Sequence, residues 1–166
     1  TPIELPVAFD NLPFLRSTIN VEKEVVVKDV NLTLAGNYPA SEELIFKLQN
    51  PGGPILDLLL AQENCDSISS FFFTLDDEAS LSAPPCPNNS GAVIRPETAL
   101  SRFDGSSASG RWTLYVFDRG GAGELTDWQL EVCYGASEVV SSVTGSSIEP
   151  EGIEIYPNPA KEQCYV

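Results

Sequence analysis

Apolar and polar residues alternate along much of the chain, a pattern typical of strands because successive side chains of a strand point to opposite faces. The alternation is clearest in GRWTLYVFDRGGAGELTDWQLEVC, residues 110–133. A glycine-rich connector separates two runs in which every second residue is apolar. The apolar positions are Trp112, Leu114, Val116, Trp128, Leu130 and Val132. We predict that they face the core from two antiparallel, neighbouring strands.

Similar patterns predict strands earlier in the chain. Residues 25–34 predict a long strand with one face formed by Val26, Lys28, Val30, Leu32 and Leu34. Residues 43–61 predict a hairpin, since two apolar runs flank the turn sequence NPGG at residues 50–53. No long segment has a helical period. Many short strands without helices between them predict an all-β fold, an antiparallel β-sandwich.

Changes in composition divide the chain into four parts. Residues 1–16 contain three prolines and predict an extended N-terminal segment. The β-sandwich is expected over residues 17–134. Residues 135–152 are rich in serine, glycine and glutamate and predict a linker, after which residues 153–166 begin a new unit.

The charge of the chain limits its function. The sequence has 24 acidic and 9 basic residues, a net charge of -15, which repels phosphate backbones, so we expect no nucleic-acid partner. No apolar run is long enough to span a membrane. The absence of histidine excludes Ser-His-Asp and Cys-His nucleophile pairs and imidazole-dependent zinc sites. We predict that this segment is not an enzyme, and a hydrolase with a carboxylate pair stays open as the catalytic alternative.

Carboxylates on loops suggest a metal site. Calcium takes about six to eight oxygen ligands from carboxylates, backbone carbonyls and water. Asp76, Asp77 and Glu78 are consecutive, and Asp104 opens an Asp-Gly turn. We predict a candidate calcium site that uses these four side chains. The alternative is that they cap turns and face solvent.

The four cysteines include no C-x-x-C pair, which argues against a metal knuckle. Cys65 and Cys86 flank a loop rich in Asp, Ser and Pro, and we predict that they form a disulfide in an oxidising compartment. The alternative is two buried free thiols. The pairing of Cys133 and Cys164 stays open.

The tryptophan stretch resembles the closing part of the P domain, or Homo B domain, that follows the catalytic domain of proprotein convertases. That part has the form G-x-W-x-L-x-V-x-D, a glycine-containing loop and then G-x-L-x-x-W-x-L. The matching residues are Gly110, Trp112, Leu114, Val116, Asp118, Gly123, Leu125, Trp128 and Leu130.

Upstream stretches extend the resemblance over residues 17–134. VVVKDVNLTL and EELIFKLQNPGG resemble earlier parts of the P domain, and LDDEASLSAPPC with RPETALSRFDG resembles a segment of its bacterial members, including the cysteine pair. The resemblance implies a β-jelly-roll of galactose-binding-like type. It also implies a non-catalytic module that supports or completes a larger exported protein, often a protease.

The C-terminal residues carry a second resemblance. IEIYPNPAKEQCYV, residues 153–166, is similar to the start of the C-terminal sorting domain of type IX secretion cargo in Bacteroidota, where a Y-P-N-P-A box opens an Ig-like sandwich. This implies a secreted or cell-surface protein whose tail meets the type IX machinery and whose upstream domain is a second partner. Asp66-Ser67-Ile68 resembles an O-glycosylation site of that group, so Ser67 is a candidate modification site.

Together these observations predict a non-catalytic P-domain module of a secreted or cell-surface Bacteroidota protein. Two alternatives stay open, because jelly-rolls carry many functions. One is a carbohydrate- or surface-binding module, which an exposed aromatic strip with glycan binding would favour. The other is a subunit of an adhesin or filament.

Overall fold

A computed structural model describes residues 3–5, 14–38, 44–59, 70–83, 85, 89–117, 123–134 and 163–165, with the first and last ranges described for backbone only. Within these ranges the chain forms ten strands and one short 3-10 helix, Leu100–Phe103. The strands are β1 Ile3–Leu5, β2 Phe14–Val21, β3 Val27–Asn37, β4 Ile45–Gln49, β5 Ile55–Leu59, β6 Phe71–Leu75, β7 Ala92–Ile94, β8 Gly110–Phe117, β9 Gly123–Tyr134 and β10 Gln163–Tyr165. No helix in the described ranges is long and apolar enough to cross a membrane.

The strands form two sheets that enclose one core, which confirms the predicted all-β sandwich. The six-stranded sheet has the order β1-β9-β3-β6-β7, with β10 also paired to β9, and the four-stranded sheet has the order β2-β8-β4-β5. Most strand pairs are antiparallel, but β6 and β7 are parallel. Strands β1 to β4 alternate between the sheets, and β1-β9-β3-β6 opposite β2-β8-β4-β5 is the strand order of a jelly-roll.

The first and the last of the described strands both belong to the sandwich. β1 pairs with β9, and β2 begins at Phe14, so the sandwich starts before residue 17, where the sequence analysis placed its boundary. β10 lies within the segment predicted to begin a sorting domain, yet it pairs antiparallel with β9. Backbone hydrogen bonding between distant segments, rather than composition, sets these limits.

A β-bulge in β3 separates Val26 from the other residues that were predicted to share its face. The register with β9 shifts between Val27 and Asp29. A bulge adds one residue to a strand and so reverses the alternation of its side chains. Val27 and Val30 are therefore both buried, whereas Val26, which was predicted to share a face with Val30, is 52% exposed.

The predicted hairpin is formed by β4 and β5. Its turn lies at residues 50–53, as the NPGG sequence predicts, and the Gly53 N–H donates to the Asn50 carbonyl. Gly52 has φ of 70°, a left-handed conformation that glycine takes without steric cost. A Cβ on Gly53 would lie 1.7 Å from Asn50 Oδ1, so a side chain at this position would force the Asn50 amide to move.

Trp112 and Trp128 lie in the core but belong to different sheets. Trp112 is on β8, between β2 and β4, and Trp128 is on β9, next to β3. The two strands are consecutive in the chain but are not paired neighbours, contrary to the prediction. Both tryptophans are buried, and so are the four aliphatic residues predicted to share their core, Leu114, Val116, Leu130 and Val132.

Each indole N–H has an acceptor inside the fold. Trp112 Nε1 donates to the Ala108 carbonyl at 2.8 Å, and the Trp112 ring packs edge-on against Phe103 with centroids 5.2 Å apart. Trp128 Nε1 donates to Ser17 Oγ at 2.8 Å, and Ser17 lies on β2 of the opposite sheet. A buried N–H without an acceptor costs about 1–3 kcal/mol of folding free energy, so these hydrogen bonds restrict the orientation of each indole ring.

We expect Trp112→Ala and Trp128→Ala each to lower the free energy of unfolding by about 3–5 kcal/mol, because each leaves a large cavity in a packed core. Urea unfolding followed by far-ultraviolet circular dichroism measures the loss. Val93→Ala, at a residue that is 44% exposed, is the control and should behave like the wild type. Wild-type stability in both tryptophan variants would contradict the core role.

Candidate functional site

The acidic loop after β6 holds neighbouring backbone. Asp77 accepts the N–H groups of Leu100 and Ser101, each at 2.8 Å, so its carboxylate caps the first turn of the 3-10 helix. Asp76 Oδ1 accepts the N–H of Glu78 at 2.7 Å, the bond of an Asx turn. Two of the four candidate calcium ligands therefore have a role in local structure.

The pKa values of the other two candidate ligands, Glu78 and Asp104, are both raised. A hydrogen bond with the Asp76 side chain is the largest cause that raises the pKa of Glu78, followed by partial burial and the charge of Asp29. Partial burial is the largest cause that raises the pKa of Asp104, followed by the charges of Asp29 and Asp77. The fold thus concentrates negative charge between the acidic loop, the 3-10 helix and β3.

Repulsion alone does not make a metal site. Within the described ranges, no group of three or more Asp, Glu or Cys side chains is arranged to hold a metal ion. The structure places Asp104 directly after the helix that Asp77 caps, so the candidate ligands occupy one region of the fold. Calcium binding in this region stays a prediction.

We expect Asp77→Ala to lower the free energy of unfolding by about 1 kcal/mol, since it removes the cap of the 3-10 helix. Chemical denaturation in the presence of a chelator measures the change without any contribution from metal. Asp127→Ala removes an exposed carboxylate from β9 and serves as the matched control. An Asp77 variant no less stable than this control would contradict the capping role.

We expect Asp104→Asn to stabilise the chain at pH 7. The raised pKa means that ionised Asp104 opposes folding, because burial disfavours its charge and because Asp29 and Asp77 repel it more than Lys28 attracts it. This cost is complete above the raised pKa and disappears below the ordinary aspartate value of 3.8.

Unfolding of Asp104→Asn and wild type, followed in chelator from pH 7 to pH 3, should therefore show a stability difference that shrinks as the pH falls. Asp127→Asn is the control for loss of one charge from an acidic chain. A difference that grows on acidification would contradict the assigned sign.

The cysteines fall into two groups. Cys133, near the end of β9, is disulfide-bonded. The backbone register of β10 with β9 places Cys164 opposite it. Cys65, Cys86 and the candidate modification site Ser67 lie outside the described residues.

We expect a non-reduced proteolytic digest to contain one peptide pair linked through Cys133 and Cys164, because cysteines that face each other on antiparallel strands lie within disulfide reach. The remaining two cysteines should then link Cys65 to Cys86. Mass spectrometry identifies both pairs. A peptide that joins Cys133 to Cys65 or Cys86 would contradict the assignment.

The outer face of the four-stranded sheet contains a polar cavity that the sequence analysis did not predict. Its volume is about 420 Å³. It is lined by Arg16, Gln49, Asn50, Pro51, Gly52, Arg111, Thr113 and Tyr115. The residues of β8 in this lining alternate with Trp112 and Leu114, so the strand pattern marks them as outward-facing. Only the strand pairing shows which residues of β2 and β4 lie beside these β8 residues.

Aromatic and cationic side chains continue beyond the cavity on the same face. The Phe14 ring centroid lies 5.8 Å from that of Tyr115 and 5.4 Å from that of Phe117. The Arg16 guanidinium lies over Phe14 and Tyr115, 5.7 and 5.4 Å from their centroids, and Lys47 Nζ lies 5.2 Å from that of Phe117. Each ring therefore contacts a cation.

Comparison with known proteins does not assign a family. No protein-family profile and no curated protein matches the chain. The crystal structure of a serine protease of Aeromonas sobria aligns with a TM-score of 0.46 and 15% identity, and it covers 80% of this chain and 27% of that one. The crystal structure of the Aeromonas sobria serine protease in complex with its chaperone aligns with a TM-score of 0.46 and 18% identity. This alignment covers 80% of the present chain and 27% of that one. At these values neither match carries an argument about function.

Proposed function

We propose that this chain is a non-catalytic module of the P-domain type within a larger exported protein. The observation that supports this most is where the residues matching the P-domain pattern lie. Trp112, Leu114 and Val116 on β8 and Trp128 and Leu130 on β9 are all buried core residues. The shared pattern is thus a packing pattern, as expected of a module that contributes a folded body rather than reacting groups.

The jelly-roll topology also suits a supporting module. β1 and β10, the terminal strands of the described chain, both pair with β9. The module is therefore anchored at both ends to one strand of its core. In our proposal the module stabilises an upstream domain of the same precursor, and the segment that begins at residue 153 directs the protein to the type IX machinery and the cell exterior.

Deletion of residues 14–134 from the full-length precursor tests the supporting role. We expect lower yield of folded protein and a lower melting temperature for the upstream region. The matched comparison is a precursor with Trp112→Ala and Trp128→Ala, which keeps the chain length but weakens the module. An upstream region that folds and resists proteolysis equally well without the module would overturn the proposal.

A separate experiment tests the secretion partner. Replacement of the YPNPA stretch, residues 156–160, by glycine and serine, with β10 and Cys164 kept, should retain the protein inside the cell. Export that is unchanged would show that the segment is not a sorting signal. Because the readout is location rather than folding, failure here leaves the supporting role unaffected.

Calcium binding is part of the proposal for the acidic region. A bound cation would offset the repulsion among Asp29, Asp77, Glu78 and Asp104, and binding to the folded state alone raises stability by mass action. We therefore expect a higher melting temperature in millimolar calcium than in chelator, and a smaller difference in the Asp104→Asn variant. Equal melting temperatures in the wild type would overturn the calcium proposal.

A further inference from the structure

We propose that the cavity on the outer face of the four-stranded sheet binds an acidic sugar, namely uronic-acid residues of an anionic polysaccharide. This inference goes beyond the proposed supporting role and does not depend on it. It rests on the charge, the arrangement and the polarity of the side chains that line the cavity.

The cavity combines two arginines, Arg16 and Arg111. Within the part of the chain that the structure describes, neither Arg16 nor Arg111 forms an ion pair, whereas Lys47 on the same face is paired with Asp57 at 2.8 Å. The whole chain has 24 acidic and 9 basic residues, so unpaired cations that share one cavity are unexpected by composition. A guanidinium binds a carboxylate through parallel N–H donors, which makes a carboxylate-bearing ligand the natural occupant.

The arginines lie at opposite ends of the cavity. Arg16 on β2 is paired in register with Tyr115, while Arg111 lies four residues before Tyr115 on β8. At about 3.4 Å per residue, the two backbone positions are separated by roughly 14 Å along the sheet. A ligand that carries carboxylates on successive units can contact both, whereas a single small anion reaches one.

Arg16 is held in place before any ligand binds. Its guanidinium stacks on Phe14 and Tyr115, and the Tyr115 hydroxyl donates to Gln49 Oε1 at 2.9 Å. Gln49 Nε2 in turn donates to the Gly53 carbonyl of the β4–β5 turn at 3.0 Å. Ordered polar groups lose less conformational entropy on binding, so this wall favours a specific contact.

The lining favours a sugar over a peptide. The Tyr115 hydroxyl donates its proton to Gln49, but its oxygen can still accept a hydrogen bond from a sugar hydroxyl. Pro51 is the one aliphatic side chain of the lining. β8 and β4 are paired on both sides, so they offer no free backbone edge to an extended peptide. β2 is an edge strand, but it contributes Arg16 through the outer face of the sheet and not along its free edge. A neutral glycan is disfavoured as well, because Arg16 and Lys47 cover the aromatic faces on which its rings would stack.

Calorimetric titration of the chain with a galacturonate trisaccharide tests the proposal. We expect saturable binding that weakens as salt is added, since ion pairs are screened. Arg111→Gln should weaken the affinity about tenfold, because it removes a charge-assisted contact. Arg16→Gln should act similarly, and Arg102→Gln, at an exposed arginine on the 3-10 helix, is the matched control and should bind like the wild type.

Two further probes identify the ligand class. A neutral galactose trisaccharide and a triglutamate peptide should both bind clearly more weakly than the uronate. No uronate binding, equal binding by the peptide, or equal loss in the Arg102 variant would overturn the proposal. Backbone amide chemical shifts of the wild type, recorded by NMR as the uronate is added, provide a measurement that needs no variant. Shift changes centred on Arg111 and Thr113 support the cavity as the binding site. Shift changes centred elsewhere overturn it.

Discussion

The hydrogen bond from Trp128 to Ser17 joins the two sheets, and much of the structure depends on how the two tryptophans pack between them. The bond runs from β9 in one sheet to β2 in the other. Trp112 packs in the same core from the opposite sheet, and its indole N–H donates to the carbonyl of Ala108, in the segment after the 3-10 helix. Since each indole needs an acceptor as well as a cavity of its own shape, the two rings limit how the sheets can be placed relative to each other.

Two surfaces of the sandwich differ in charge. The acidic loop and the 3-10 helix lie at one region of the sandwich, where Asp77 caps the helix and other carboxylates repel one another. The outer face of the four-stranded sheet instead carries Arg16 and Lys47 over aromatic rings and Arg111 in the lining of the cavity. A chain that is strongly acidic overall therefore still presents one cationic face, because strand pairing rather than composition decides which side chains are neighbours.

Part of the candidate chemistry could be read from residue types and part could not. Consecutive carboxylates after β6 were visible in the sequence, and the alternative that they cap turns describes Asp76 and Asp77 well. The cavity was not visible, since its residues come from β2, β4 and β8, which are far apart in the chain. The sequence also did not reveal that Cys164 lies opposite Cys133 on neighbouring strands, because the two residues are far apart in the chain.

The sequence by itself determined the all-β class, the β4–β5 hairpin and the burial of the two tryptophan runs. These features follow from alternation within a strand and from turn residues such as Gly52, which are local properties of the chain. Only the tertiary structure decided that β8 and β9 lie in different sheets, that the bulge after Val27 turns Val26 outward, and that the chain ends pair with β9. The physical reason is that hydrogen bonds between strands join residues at large sequence separation, and a local pattern of polarity does not specify the partner of a strand.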